Sequence, residues 1–369
     1  MTLLGTIDWP ALDDVARVLL LRDYNTRVVV CGVALLGLVS GLIGTFVLLR
    51  KRALLSDAVS HATLPGIAVA FLVMLALGGN AKSLAALLSG AGASGALGAL
   101  SILAITRFSR IKEDAALGVV LSVFFGLGVA LTTVIQSLGA GEAAGLMGFI
   151  YGKTASMLAR DAQLIAVAAL AMTLVAAALF KELKLICFDA AYAAARGYPV
   201  LLLDITLTAM VVVVTVIGLQ AVGLVLMIAL LVIPASAARF WTDRLATTLL
   251  LAAGIGAGSG WLGAVASALL PRLPSGAIIV LVAGVAFLVS LLFGRRRGLI
   301  RGMLEQRELN RKVARQHLLR SLYELSEARR AGRVPTEELL GDRAWTSASL
   351  GAALAAARGD GLVEQTPAG

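Results

Sequence analysis

The sequence predicts an all-α polytopic membrane protein with about nine transmembrane helices, an external N-terminus, and a small helical tail in the cytoplasm. Of its 369 residues, 59% are hydrophobic and only 15% are charged, whereas a soluble domain typically carries about 25% charged residues. The apolar residues form runs long enough to cross a hydrocarbon core of about 30 Å. Positive charges lie between alternate runs and in the tail, as is typical of loops retained in the cytoplasm.

The net charge of +10 would suggest nucleic-acid binding in a soluble chain. Here the cations follow the topology of the spans, so nucleic acid is not an expected partner and membrane lipid is. Cys31 lies in the first apolar run and Cys187 in a loop assigned to the cytoplasm. Neither a disulfide nor a thiolate metal site is therefore expected, and no permanently bound cofactor is predicted.

Three segments divide the chain. Residues 1–27 form an expected external amphipathic lead, and they lack the basic and then apolar order of a cleavable signal peptide. Residues 28–294 form the expected transmembrane domain, and residues 295–369 form the expected cytoplasmic tail. The predicted spans cover about 28–49, 57–77, 84–105, 115–138, 162–180, 200–219, 221–238, 245–270 and 277–293.

The loops fix the orientation. Arg50, Lys51 and Arg52 follow the first span, which places its end inside and the N-terminus outside. Residues 139–160 are glycine-rich and too broken for a full span, so we expect an external loop with a short helix at the membrane surface. A tight external turn near Gln220 separates the sixth and seventh spans.

A cytoplasmic segment covers residues 181–199 and reads KELKLICFDAAYAAARGYP. Its middle is predicted to be helical, because alanine is the best helix former. Gly197 and Pro199 close this helix, since glycine after a last turn and proline beyond it are typical stop signals.

Arg50 to Gly66, RKRALLSDAVSHATLPG, is the most polar stretch between two apolar runs. Asp57, His61 and Pro65 follow one another at intervals of four, so on a helix they share one face. Pro65 cannot donate a backbone hydrogen bond to the carbonyl of His61. An ionisable group inside a membrane indicates a functional site. Two simpler roles stay open: Asp57 caps the helix, and His61 bonds a neighbouring carbonyl.

Two further patterns concern the interior of the bundle. Small residues in 37–44 (GLVSGLIG) and 254–260 (GIGAGSG) predict close helix packing in lipid. Asp204 lies early in the sixth span, where it could line a pore; the interpretation we favour is that it is an interfacial group or pairs with a cation near the cytoplasmic face.

The tail contains three helical patterns, QHLLRSLYELSE, PTEELL and WTSASLGAALAAARGDGLVE. Their spacing resembles a helix-turn-helix or a truncated winged-helix module. The alternative is a helical tail that packs on a partner, and clustered base-reading residues are not found.

Five stretches resemble the permease subunits of ATP-driven importers of manganese, zinc and iron. They are LLRKRALLSDAVSHATLPGIAVAF at 48–71, RIKEDAALGVVLSVFFGLGVALTTV at 110–134, LMGFIYGKT at 146–154, FDAAYAAARGYP at 188–199 and LQAVGLVLMIALLVIPASAA at 219–238. They occur in the family's order and do not include the tail, which looks like a shortened form of the C-terminal domain of some family members.

The resemblance implies a multi-pass subunit of the cytoplasmic membrane in which Asp57 and His61 contact Mn²⁺, Zn²⁺ or Fe²⁺ in transit. It implies that 188–199 is the coupling helix, which rests on the ATPase subunit. The residues implicated there are Phe188, Asp189, Gly197 and Pro199. Expected partners are an ATP-binding cassette ATPase subunit, a second permease copy and an extracytoplasmic metal-binding protein. No GxxxxGK[ST] loop occurs in the chain, so ATP is expected to be hydrolysed by another polypeptide and the chain is not expected to be an enzyme.

Three alternatives remain open from the sequence. A permease for a bulky metal chelate, such as a siderophore or cobalamin, would need a wide apolar route without an Asp/His pair. A proton-driven secondary transporter would use Asp57 as its carrier. A membrane-anchored regulator would act through the tail.

Overall fold

The computed structural model describes residues 17–18, 20, 22–79, 83–137, 152, 154–269, 274–329, 333–342 and 345–364, and all regular structure in these ranges is helical. The helices are α1 (Tyr24–Leu49), α2 (Leu55–Ala76), α3 (Leu84–Phe108), α4 (Glu113–Ser137), α5 (Ala159–Ala178), α6 (Phe180–Phe188), α7 (Ala190–Ala195), α8 (Val200–Val222), α9 (Leu224–Ala238), α10 (Leu245–Leu269), α11 (Ser275–Phe293), α12 (Leu299–Arg329), α13 (Thr336–Asp342) and α14 (Ser347–Gly359). A short 3-10 turn covers Thr154–Ser156.

Eight of the described helices are long and apolar enough to cross a membrane: α1 to α5, α8, α10 and α11. The predicted all-α polytopic membrane fold is thereby confirmed, while its orientation stays a prediction. The seventh predicted span, 221–238, corresponds to α9, which has 15 residues and falls short of the roughly 20 residues that a full span needs. The break before it lies at Gly223, where φ is +83°, and not at Gln220.

Several predicted segments fall outside the described residues. Most of the external lead (1–16) and most of the external loop (138–151) belong to this group, as do parts of two turns (80–82 and 270–273). Helix α1 begins at Tyr24, so the end of the predicted lead is the start of the first span.

Helix α1 is the centre of the bundle and packs against α5, α9 and α10. The contact with α10 is close enough to involve backbone atoms. A Cβ added at Gly37 would overlap the carbonyl of Gly256, and one at Gly41 would overlap that of Ala252. The close packing predicted from the small residues of α1 and α10 is therefore confirmed, and it is the kind of contact that stabilises helix pairs in lipid.

Helix α2 is held between α3 and α4. A Cβ added at Gly66 would overlap the carbonyl of Gly90 on α3, and one at Gly128 of α4 would lie 3.3 Å from Cδ of Pro65. The Ser94 hydroxyl on α3 also donates to the carbonyl of Ala62 at 2.6 Å. Helix α2 continues through Pro65, and these contacts fix the helix that carries Asp57 and His61.

The outer helices expose apolar side chains. Val167 and Leu170 of α5 and Leu281 of α11 are each more than 60% exposed. A soluble monomer rarely exposes large contiguous apolar surfaces. We therefore expect these apolar side chains to face lipid. The helices can lie in lipid because their backbone polar groups are hydrogen-bonded within each helix.

The chain divides into two compact units, residues 1–296 and 297–369. In the second unit, α12, α13 and α14 enclose a small core of Leu318, Leu339, Leu350, Ala353 and Ala357. The three helices predicted in the tail are present, although α12 extends over 31 residues. The cytoplasmic location of this unit and its likeness to a winged-helix module stay predictions.

Candidate functional site

Asp57 and His61 meet on α2. The Asp57 Oδ1 and His61 Nε2 atoms lie 3.3 Å apart, the contact that residues four apart on a helix can make. Helix α2 begins after Leu54, so Asp57 lies in its first turn and not at the cap position. A negative charge in this turn is favoured by the helix macrodipole.

The pair is the accessible part of an otherwise buried stretch. Among residues 55–65, only Asp57 and His61 are not buried. Their side chains are 31% and 20% exposed, respectively. The two groups that can bind a cation are thus the two that are accessible.

The His61 ring is fixed by more than its carboxylate partner. Phe125 of α4 packs against it in an edge arrangement, with ring centroids 4.8 Å apart and an interplanar angle of 79°. Such aromatic pairs contribute about 0.5–1.5 kcal/mol beyond the area that they bury. His61 Nδ1 is buried and has no hydrogen-bond partner among the described residues, so a bond from the imidazole to a neighbouring carbonyl is not found there.

One chain supplies a small set of ligands. Within the described residues, no group of three or more His, Cys, Asp or Glu side chains could hold a metal ion. A carboxylate oxygen and an imidazole nitrogen suit Mn²⁺, Fe²⁺ and Zn²⁺ alike. Because structural zinc sites are closed by four ligands, a pair of ligands in one chain fits transient contact better than permanent retention.

The segment predicted to couple to an ATPase is a short helix with defined ends. Asp189 Oδ1 accepts a hydrogen bond from the amide of Tyr192 at 2.8 Å and so caps α7. Gly197 has φ of +83°, and its amide donates to the Ala194 carbonyl, as in a glycine-terminated helix end. Pro199 is the N-cap residue of α8. These three residues therefore shape the segment.

The same segment presents aromatic side chains to its surroundings. Phe188, Tyr192 and Tyr198 are 64%, 46% and 42% exposed, and Arg196 Nε donates to the Tyr192 hydroxyl at 2.9 Å. The sequence analysis identified Phe188 but missed Tyr192, Arg196 and Tyr198. Their signal was an aromatic residue at 188, 192 and 198 in an otherwise alanine-rich segment.

Asp204 pairs with a cation, as the sequence analysis favoured. Arg50 Nη2 lies 2.7 and 2.8 Å from the two carboxylate oxygens of Asp204, and Arg50 Nη1 donates to the Ile186 carbonyl at 2.9 Å. Arg50 was used only as a topology signal in the sequence analysis. Its partner is 154 residues away, a distance at which helical spacing carries no information.

Both cysteines are free. Burial raises the pKa of the Cys187 thiol to about 12, the nearby Arg50 opposes this rise, and Asp204 adds to it. Because of this raised pKa, the thiol is protonated at neutral pH. Its Sγ lies 3.7 Å from the Phe46 carbonyl and donates to it, which is a contact between α6 and α1.

A bundle of membrane-length helices, with an accessible Asp/His pair in one of them and an exposed helical loop, defines a polytopic membrane protein of the transporter class. The ABC 3 transport family model matches residues 22–294, and the chain belongs to this family. Its members are transport components of ABC systems whose ATP hydrolysis lies on a separate subunit, so the chain is a transport subunit and not an enzyme.

Individual relatives agree with the family. The chain is 41% identical to the manganese transport system membrane protein MntC of Bacillus subtilis (strain 168) over 307 residues, covering 83% of this chain and 69% of that protein. It is 43% identical to the zinc transport system membrane protein TroC of Treponema pallidum (strain Nichols) over 291 residues, covering 79% and 96%. Among solved structures it resembles PsaBC from Streptococcus pneumoniae in complex with Fab, with a TM-score of 0.65, 28% identity, and coverage of 77% and 96%.

Proposed function

We propose that the chain is the permease of an ATP-driven importer in the cytoplasmic membrane, and that it moves Mn²⁺, Zn²⁺ or Fe²⁺ into the cell past Asp57 and His61. The observation that carries this proposal is the isolated access of these two side chains within residues 55–65. An ionisable pair in a membrane span is unfavourable unless it serves a purpose.

Two permease copies would complete the route. With one Asp57 and one His61 from each copy, the ion meets two carboxylates and two imidazoles. These ligands need not all bind at once, because a closed cage of four would trap the ion. Ligands that bind in turn let the ion enter from an external metal-binding protein and leave into the cytoplasm.

The driving force would come from a separate ATPase subunit. Phe188, Tyr192 and Tyr198 form an exposed aromatic surface, and aromatic side chains are enriched where protein partners bind. Closure of two ATPase subunits on ATP would move the segment 188–199, and α8, which begins at Val200 directly after it, would move with it. These movements would open the ion route first on one side of the membrane and then on the other.

The relatives support an ion over a chelate as substrate. The matched proteins of Bacillus subtilis and Treponema pallidum are named for manganese and zinc transport. The Asp/His pair also suits a bare cation, whereas a siderophore or cobalamin would need a wide apolar passage. Affinity order alone favours Zn²⁺ over Mn²⁺, so selection of the metal must also involve the geometry of the site and the delivery protein.

Uptake by proteoliposomes tests the proposal. The permease would be reconstituted with its ATPase subunit and external binding protein, and entry of Mn²⁺ and Zn²⁺ would be measured with and without ATP. We expect ATP-dependent uptake that His61→Ala abolishes. His317→Ala is the matched control, since His61 and His317 are the only histidines and His317 lies in α12 of the tail unit. Uptake driven by a pH gradient alone would instead support a secondary transporter.

A further inference from the structure

Arg50 contacts both flanks of the segment 188–199. On the N-terminal side its Nη1 donates to the carbonyl of Ile186, two residues before Phe188. On the C-terminal side its Nη2 binds both carboxylate oxygens of Asp204, in the second turn of α8. One guanidinium at the end of α1 therefore holds the chain immediately before and immediately after this segment.

Arg52 extends these contacts to two more helices. Its Nε pairs with Glu113 at the start of α4, and its Nη1 lies 3.5 Å from Asp204 Oδ1. Its carbonyl accepts a hydrogen bond from the amide of Leu55, the first residue of α2. Arg50, Arg52, Glu113 and Asp204, which we term the charge cluster, thus connect α1, α4 and α8 at the entrance to the helix that carries Asp57 and His61.

The preference of cytoplasmic loops for Lys and Arg does not explain why most side chains of the charge cluster are shielded from solvent. The side chains of Arg50, Arg52 and Asp204 are only 15%, 10% and 12% exposed. Lys51 lies between the two arginines, is exposed, and has φ of +60°. The left-handed backbone at Lys51 is uncommon outside glycine, and it separates the exposed Lys51 from the half-buried Arg50 and the buried Arg52. A positive charge in a cytoplasmic loop would not require either arginine to be shielded from solvent.

A gain in the free energy of folding does not explain the presence of these ion pairs either. Replacing a buried ion pair by packed apolar side chains is often neutral or stabilising, because desolvation offsets the attraction. What such a pair adds is directional contact between specific elements. The charge cluster joins the flanks of one loop to the start of one particular span.

We propose that the charge cluster transmits movement of the segment 188–199 to α2, and hence to Asp57 and His61, with Arg50 as the central positioning residue. This inference rests on the proposed function. Displacement of the segment by an ATPase subunit pulls on Ile186 and Asp204 together. Ile186 and Asp204 both contact Arg50. Arg50 is joined to Arg52 and the start of α2 by a short connection, in which the backbone of Lys51 is conformationally restricted.

The test measures ATP hydrolysis and metal uptake in the same proteoliposomes, with the full permease, its ATPase subunit and its external binding protein. Mn²⁺ is the probe, or Zn²⁺ where the wild type transports that ion. For Arg50→Gln we expect the number of ions imported per ATP to fall at least about 10-fold, within the usual range of coupling between sites, while hydrolysis stays within about 2-fold. Lys51→Gln removes a neighbouring charge that makes no ion pair with the described residues, and it should leave the ratio unchanged.

A purely structural role gives a different result, because fewer folded molecules lower hydrolysis and uptake together and leave their ratio unchanged. Asp204→Asn should reproduce the uncoupling, and the double variant Arg50→Gln/Asp204→Asn should be no worse than either single one, since contacting residues act together. Should Arg50→Gln fail to fold, Glu113→Gln alters the cluster at its more exposed end and should lower the ratio in the same direction.

A wild-type ratio in both Arg50→Gln and Glu113→Gln would overturn this inference and leave the proposed function intact. Absence of ATP-dependent uptake by the wild type would overturn the proposed function itself, and this inference with it.

Discussion

Asp57 Oδ1 lies 3.3 Å from His61 Nε2, and no other residue between Leu55 and Pro65 escapes burial. The two groups lie on one face of α2 and are both accessible, so a cation that contacts one of them can contact the other. We therefore expect their effects on transport to be interdependent, which leads to the first prediction.

Asp57→Asn and His61→Gln should each lower the kcat/KM of metal uptake by at least about 10-fold, or about 1.4 kcal/mol. The double variant should lose little more than the worse single one, because residues that bind one ion together are not additive. Uptake rates over a range of Mn²⁺ or Zn²⁺ concentrations give kcat/KM for each variant of this double-mutant cycle. His317→Gln is the control. If the fold-loss of kcat/KM in the double variant equalled the product of the two single losses, Asp57 and His61 would not share a site.

Phe125→Ala should raise the KM for the metal by about 2- to 10-fold, because it removes an edge contact of about 0.5–1.5 kcal/mol on the His61 ring. Phe125→Tyr keeps the ring and should behave as the wild type. Val123→Ala on the same helix, where Val123 is 60% exposed, controls for loss of an apolar side chain. Equal KM values in the Phe125→Ala and Val123→Ala variants would exclude a role for Phe125 in orienting the imidazole.

Asp189→Ala should weaken binding of the ATPase subunit and lower coupled transport, because it removes the side chain that caps α7. Loss of such a cap costs about 1 kcal/mol of helix stability. Asp189→Asn is the matched variant, since asparagine caps as well as aspartate and removes only the charge. Co-purification of the ATPase subunit with each variant is the measurement. If Asp189→Asn is as defective as Asp189→Ala, the charge and not the cap is what matters.

Gly66→Ala should lower the thermal stability of the detergent-extracted permease, since the new Cβ would meet the backbone carbonyl of Gly90. Insertion of a methyl group into a packed contact typically costs about 1–3 kcal/mol. Gly92→Ala lies two residues after Gly90 on α3, points away from α2 and has open space at its Cβ, so its melting temperature should match the wild type. Similar losses in both variants would indicate a general effect of alanine rather than close packing.

Local features were predictable from the sequence, whereas the partners that distant residues find in the tertiary structure were not. The meeting of Asp57 with His61 follows from helical geometry, since the two residues are four apart. The end of the helix at Gly197 follows from the conformational freedom of glycine. The bond from Arg50 to Asp204 spans 154 residues and depends on how α1 and α8 pack, which no periodicity encodes.

The break between α8 and α9 shows a second limit. Apolar residues lie on both sides of it, and hydropathy favours the polar Gln220 over Gly223 as the turning point. Backbone conformation places the turning point at Gly223 instead, because Gly223 takes φ of +83°, a value that glycine adopts readily. The 15-residue length of α9 follows from this later break.

Cys187 should react slowly with maleimide at neutral pH. Burial raises its pKa to about 12, and the thiolate is the reactive form, so at about pH 7 its thiolate fraction is roughly 3,000-fold lower than that of an ordinary thiol with pKa about 8.5. The measurement uses a Cys31→Ala background, with Cys187→Ala/Phe188→Cys as the matched control, because Phe188 is 64% exposed. Because the raised pKa keeps the thiol protonated, labelling at 187 should rise about 10-fold per pH unit from pH 7 to 10, while labelling at 188 should level off near pH 9. Equal rates and equal pH profiles at the two positions would show that α6 is not docked against α1 as described.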